Sequence, residues 1–284
     1  MAWAAAKRQY RGSASFRGRW GSGGWGWRRA GGCWLLWWFF GIDLTPLSNG
    51  VSTDGGGGGS VSQAPLSADE RASGEFVSVT LADTEEIWSR VFKSQVGQNY
   101  TPATLVLFRG RTASPCGTAS GATGPFYCPE DKKVYLDTAF FSTLAQELGV
   151  KGDFAMAYVV AHEIGHHVQD ELGILAKANK IHARVSEAES NAISVRIELQ
   201  ADYLAGIRGR EVAAQFGTIQ KGDFEEAVNA AKRIGDDTLQ RNAGRVPMPD
   251  SFTHGTRTQR SKWFQIGLKS GQLQDCDTFG AAKP

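Results

Sequence analysis

From Ala82 to Gln95 the apolar residues Ile87, Val91 and Phe92 recur at helical spacing, which predicts a helix. Ala103–Arg109 (A-T-L-V-L-F-R) reads as a strand, as does Lys133–Asp137. Thr138–Leu148 reads as a helix ended by Gly149. Asp153 is placed as the cap of a long helix running to about Leu172, with Gly173 as its stop. A further helix covers about Val185–Ile207, Asp223 caps one reaching about Ile234, and Thr256–Leu268 makes the last. Several helices with few strands predict an α+β domain in which helix dominates, spanning 76–284. No internal repeat is present.

The first 75 residues follow another pattern. Residues 1–30 are a basic Trp/Gly/Arg-rich leader, and seven of the nine Trp fall within residues 1–40. Residues 31–47 hold a short apolar segment centred on C-W-L-L-W-W-F-F (33–40). The charge-free run Ala30–Ile42 is 13 residues long, against the roughly 20 that a spanning helix needs. It fits the apolar region of a signal peptide, an interfacial anchor with basic flanks, or a leader with an adhesive patch. Residues 48–75 form a linker built around the unbroken run Gly55–Gly59; such a stretch buries too little surface to offset its ordering entropy, so a disordered N-terminal region is expected ahead of the domain.

Charge adds a division of labour. Residues 1–40 carry seven basic side chains and no acid. The other 24 basic side chains against all 29 acids leave the rest of the chain at net −5. An acidic body offers no footprint for nucleic acid, so no nucleic-acid partner is expected. The basic-then-apolar order at the N-terminus is the positive-inside pattern and points to the membrane as a partner. Four Cys in 284 residues exclude a disulfide-built miniprotein. Cys116 and Cys128 bracket a Gly/Ser/Ala-rich loop with little apolar content of its own. A disulfide there would stabilise by about 3 kcal/mol through loop entropy and would imply an oxidising compartment. The alternative is two free thiols.

The chemistry concentrates in H-E-I-G-H (162–166). His162 and His166, at i and i+4, share one helical face about 6 Å apart at Cβ. Both imidazoles then reach one ion at the 2.0–2.1 Å that zinc requires. Glu163 is rotated about 100° around the axis, out of reach as a ligand and placed to act on a water at the metal. This is the zinc-hydrolase pattern, with Zn²⁺ as cofactor and Glu163 as catalytic base. The turns before it, F-A-M-A-Y-V-V-A (154–161), are apolar, so the helix is buried and its polar side chains need partners. The competing interpretation is a pair of satisfied core histidines. His167 points elsewhere, as an outer-shell or exposed residue.

Catalytic zinc takes three protein ligands and keeps a fourth position open. E-L-Q-A-D (198–202) offers Glu198 as the third ligand, and Asp202 as acceptor for the free ring N–H of His162 or His166. The alternative is a solvated acidic helix face.

H-E-I-G-H followed by E-L-Q-A-D resembles the gluzincin metalloproteases, in which H-E-x-x-H is completed by E-x-x-x-D. More closely, the chain is similar to the bacterial neutral zinc metallopeptidase family. The shared segments are T-L-V-L-F-R-G (104–110), C-G-T-A-S (116–120), G-P-F-Y-C-P (124–129), A-H-E-I-G-H-H-V-Q (161–169), E-L-Q-A-D (198–202), I-G-D-D (234–237), P-D-S-F-T-H-G (249–255) and C-D-T-F (276–279). The resemblance implies a zincin-like domain acting on polypeptides, on the extracytoplasmic side of a membrane anchored by one N-terminal segment. T-H-x-x-x-x-x-R (253–260) is also similar to a segment of the CAAX-processing and heat-shock membrane metalloproteases. That similarity implies that His254 stabilises the oxyanion with Arg260 in support; the plain alternative is a turn histidine before a helix. The chain departs from the family in its short Trp-studded segment, and in Tyr203, where members often carry a Cys that would pair with Cys276.

Three function classes follow: a membrane-tethered zinc endopeptidase, a non-catalytic module that keeps metal for structure, and a cell-envelope hydrolase of a non-peptide amide. Glu163 argues against the second, since a structural site has no use for a general base.

Overall fold

The structure is a computed structural model that describes residues 68–120, 123–147, 152–217 and 221–284. The predicted leader, the apolar segment and the linker as far as residue 67 lie outside the described residues. Helix α1 (Ala68–Val91) continues into a π-helical turn, Phe92–Val96. It therefore takes in residues 68–75, which composition assigns to the linker. Those residues lack a usable apolar period. They are held by contacts such as the Glu70–Arg109 ion pair at 3.1 Å, and by burial of Val77 one turn on.

Five short strands follow: β1 (Thr104–Phe108), β2 (Arg111–Ser114), β3 (Gly117–Ser120), β4 (Phe126–Cys128) and β5 (Lys133–Asp137). One sheet has the order β1-β5-β4, with β1 parallel to β5 and β4 antiparallel to it. β2 and β3 form a separate antiparallel hairpin. The disulfide Cys116–Cys128 joins the turn of that hairpin to β4. Both cysteines are buried in a small cluster that includes the stacked rings of Phe126 and Tyr135.

The rest is helical: α2 (Phe140–Glu147), α3 (Asp153–Glu171), α4 (Ile174–His182), α5 (Glu187–Phe216), α6 (Lys221–Arg233), α7 (Asp236–Asn242) and α8 (Arg257–Ser270). Asp153 is not the cap of α3; Gly152 takes that position at φ 109°, and Asp153 lies in the first turn. Ser186 with Glu189 and Thr256 with Gln259 form capping boxes that start α5 and α8. α5 runs well past the predicted Ile207, because its later turns pack on α8 and keep Ile207 and Arg208 buried.

α5 is the central element, packed against α3 on one side and α8 on another. Both contacts are backbone-close. A Cβ at Gly206 would lie 2.2 Å from Phe264 O, and one at Gly267 would lie 2.0 Å from Tyr203 O, so only glycine fits at either point. Across α3 and α5, a Cβ at Gly165 would meet Ala201 O at 3.0 Å. Gly165 stands between Glu163 and His166, so the turn that carries these two residues admits the neighbouring helix.

Tyr203 is fully buried and donates its hydroxyl to Gln272 O at 2.7 Å. Cys276 is a free thiol beside the same core, in keeping with Tyr203 at the position where the resemblance leads one to expect a cysteine partner. Among the described residues, no helix is long and apolar enough to cross a membrane.

Candidate metal centre

The α3–α5 approach brings His162, Glu163 and His166 against Glu198 and Asp202, all five buried. His162 Nε2 lies 3.0 Å from Glu198 Oε2, and His166 Nε2 lies 3.3 Å from Glu198 Oε1. The ligand atoms of His162, His166 and Glu198 all fall within 4.8 Å of one another, the one such group among the described residues. Neighbouring ligands on a tetrahedral zinc with 2.0–2.1 Å bonds stand about 3.3 Å apart. The spacing therefore suits one shared ion.

The hydrogen bonding supports that fit. His162 Nδ1 lies 2.9 Å from Asp202 Oδ1, and His166 Nδ1 lies 2.9 Å from Gln169 Oε1. Each acceptor fixes a proton on Nδ1, which leaves Nε2 as the ring atom that could take a metal on both histidines. His166 Nε2 is buried with no aligned hydrogen-bond partner, although Glu198 is 3.3 Å away. Glu163 Oε2 is likewise buried and without a partner. Unpaired buried polar atoms of this kind are costly. Two of them converging on a His₂Glu set is what a site built for an ion and its water would show, so the residues fit zinc.

Asp202 is the hub behind the ligands. It accepts from Arg260 Nε (2.9 Å) and Nη2 (3.0 Å), from His162, and from the Tyr158 hydroxyl in a very short contact. Arg260 also donates to Ile234 O at 3.3 Å. The electrostatics follow. Burial alone would push His162 down, but Asp202 and Glu198 outweigh it and raise its pKa to about 9. Burial would push Glu198 up, yet the two ligand histidines hold it well below the usual carboxylate range. Burial raises Glu163, partly offset by His162 and His166.

His254 is buried and lines the same cleft as Glu163, His162, Glu198 and Arg260. Its Nδ1 lies 3.0 Å from Thr253 Oγ1 and 3.2 Å from Asp236 Oδ1. His167 is on the far side of α3, fully buried rather than exposed; it bonds Thr101 O at 2.6 Å and lies 3.1 Å from the Tyr127 hydroxyl. It belongs to the packing between α3 and the sheet, not to the site.

Three residues at the centre were not singled out by the sequence: Tyr158, Gln169 and Asp236. Gln169 follows His166 by three positions, and its amide donates to Ile197 O (2.8 Å) and Gln200 Oε1 (3.0 Å). It thereby ties the second histidine to the E-L-Q-A-D turn. Its i+3 spacing was the available signal.

Over residues 7–279 the sequence matches the family described as "Putative neutral zinc metallopeptidase". The chain belongs to this family. Among its relatives is "Uncharacterized protein YpfJ" of Escherichia coli K12, 45% identical over 243 residues, covering 85% of this chain and 82% of the relative. "Uncharacterized protein Rv2575" of Mycobacterium tuberculosis H37Rv is 42% identical over 194 residues, covering 64% of each. No solved structure matches the chain. As a zinc metallopeptidase family member, the chain has in His162, His166 and Glu198 a group able to hold the metal that the family description implies.

Proposed function

We propose that the protein is a zinc-dependent peptidase that hydrolyses peptide bonds, tethered to a membrane by its N-terminal segment with the folded domain on the extracytoplasmic side. The observation that carries the catalytic reading is Glu163. Its carboxylate is buried beside the His162/His166/Glu198 group, with one oxygen unpaired and facing no structural partner. A site that held metal for structure alone would have no reason to bury that charge.

Zn²⁺, when bound here, would supply Lewis acidity that makes a water a nucleophile near neutral pH. His162, His166 and Glu198 would hold it, and Asp202 and Gln169 keep the two rings turned with Nε2 toward Glu198. Glu163 accepts the proton of the attacking water and passes it to the leaving amine. The upward push of burial on its pKa, partly offset by His162 and His166, is in the direction that suits a group that must both take and return a proton. His254, on the cleft wall, stabilises the oxyanion of the tetrahedral species. Arg260 contributes through Asp202, since its guanidinium is engaged there.

Two observations support the location. The Cys116–Cys128 disulfide suits an oxidising compartment, and the basic-then-apolar order of residues 1–47 suits a membrane-inserted N-terminus. The test is hydrolysis of casein by the purified protein with and without chelator, with peptidoglycan as the competing substrate. Chelator-sensitive cleavage of casein, restored by zinc, is expected. Activity on peptidoglycan alone would move the protein to the non-peptide amide class. Reporter fusions after residue 47 that show activity only in the cytoplasm would reject the location.

A further inference from the structure

I-G-D-D (234–237) is a distinctive segment of which only Ile234 lines the cleft, where its carbonyl accepts from Arg260. In the structure it is the junction of α6 and α7, and it touches both arms that enter the cleft from outside. A Cβ at Gly235 would lie 2.4 Å from Arg257 N and 2.7 Å from its Cα, so the entry to α8 rests directly on this turn. Asp237 Oδ1 accepts from Arg257 N at 2.7 Å, at the first residue of the helix that carries Arg260. Asp236 faces the other arm. Its Oδ2 accepts from three successive backbone N–H groups, Thr253 (2.9 Å), His254 (2.7 Å) and Gly255 (2.9 Å). Its own N–H donates to Gly255 O at 2.9 Å. Its Oδ1 stands 3.2 Å from His254 Nδ1.

We propose that Asp236 is the positioning residue for His254. One oxygen wraps residues 253–255 into a fixed turn and the other meets the ring at Nδ1, so that His254 acts on substrate through Nε2. Charge-assisted bonds to three consecutive amides need an acceptor-only group, and a carboxylate is one. Thr253 Oγ1, also near Nδ1, comes from the turn that Asp236 itself holds. The assignment rests on the reading of the protein as a zinc hydrolase, in which His254 faces the reacting carbonyl.

The test uses the full-length, zinc-loaded protein. Asp236→Asn keeps a carbonyl oxygen for the backbone amides but removes the charge. His254→Ala and the double variant complete a cycle. With zinc content unchanged, Asp236→Asn should lower kcat on a quenched fluorescent casein by about 10–100-fold, the usual cost of losing an orienting partner, with KM within about 2-fold. The double variant should be no slower than His254→Ala alone. Ring ¹⁵N spectra, with the His254 signals assigned by their loss in His254→Ala, should show His254 Nδ1 moved in Asp236→Asn and His182 unmoved. Multiplying losses in the double variant, or unchanged His254 nitrogens, would overturn the proposal. If the wild-type protein cleaves nothing, the hydrolase reading fails on its own, and the ring spectra still decide whether Asp236 holds His254. Should Asp236→Asn not fold, Asp236→Glu, which displaces the charge by one methylene, carries the same comparison.

Discussion

Arg260 grips Asp202 with two nitrogens, Nε to Oδ2 at 2.9 Å and Nη2 to Oδ1 at 3.0 Å, at a point where both side chains are almost wholly buried. The same carboxylate faces Nδ1 of His162. A cation on α8 is thus linked through α5 to His162 on α3, and the packing of three helices fixes one imidazole. The buried pair is costly to desolvate, and it is retained where it orients the ring.

That linkage should make zinc binding pH-dependent. Burial lowers His162, but Asp202 and Glu198 outweigh it and lift its pKa from 6.5 to about 9. The ring of the metal-free protein is therefore expected to be protonated at neutral pH. Its stabilising contribution is complete below pH 6.5 and is lost as pH rises through about 9. Zinc needs the neutral ring and must displace that proton. Apparent zinc affinity should rise by up to about 10-fold per pH unit between 6.5 and 9, while the Tm of the metal-free form falls over the same window. Chelator competition across this range reads it; a flat profile would show that His162 is already neutral.

Glu163→Gln should keep full zinc and lose hydrolysis by at least about 10²-fold, as expected when a general base is removed. The amide fills the same volume, so the fold should hold. Turnover close to wild type would assign the proton transfer to another group, with His254 first in line because it lines the same cleft.

Gly165→Ala sets two effects against each other. In a helix interior, Ala is favoured over Gly by about 1 kcal/mol. Here the new methyl would stand 3.0 Å from Ala201 O and 3.1 Å from Ala201 Cα, and overpacking of that kind typically costs about 1–3 kcal/mol. The clash is with backbone, which cannot swing aside, so it should win. Tm should not rise, and zinc affinity should fall as α3 and α5 are pushed apart. A raised Tm with unchanged zinc binding would show that the contact has slack.

These glycines show where the sequence was legible and where it was not. His162, Glu163 and His166 could be read because i,i+4 spacing on an apolar helix is local information, and Glu198 and Asp202 by the same rule on α5. Gly165, between them, gives no local sign that it admits a second helix. Gln169 and Tyr158 were missed because their roles depend on what crosses from α5 and α8. The strands β2 and β3, R-T-A-S and G-T-A-S, carry too few apolar residues for a period. α4 and α7 are short enough to pass for loops. His254 was reached through resemblance alone, and Asp236 only as part of the shared segment I-G-D-D, with no role, since their meeting is a tertiary event 18 residues apart.

The two carboxylates of α5 should separate in a metal titration. Glu198 faces Nε2 of both histidines, at 3.0 and 3.3 Å, whereas Asp202 faces Nδ1 of His162 alone. Removing Glu198 deletes a ligand; altering Asp202 loosens the orientation of one. Asp202→Ala is a poor probe because it strands the buried Arg260 charge, a loss of about 3–5 kcal/mol. Asp202→Asn keeps an acceptor for His162 and most of the volume. Glu198→Ala should bind no zinc at micromolar free metal. Asp202→Asn should bind about 10–100-fold more weakly than wild type and fill when zinc is added in excess. Its Tm should fall, because Arg260 loses a charged partner, and the pH dependence set by His162 should flatten. Metal analysis after equilibrium dialysis at graded free zinc distinguishes the two. An empty Asp202→Asn beside a loaded Glu198→Ala would reverse the assignment of ligand and orienting partner.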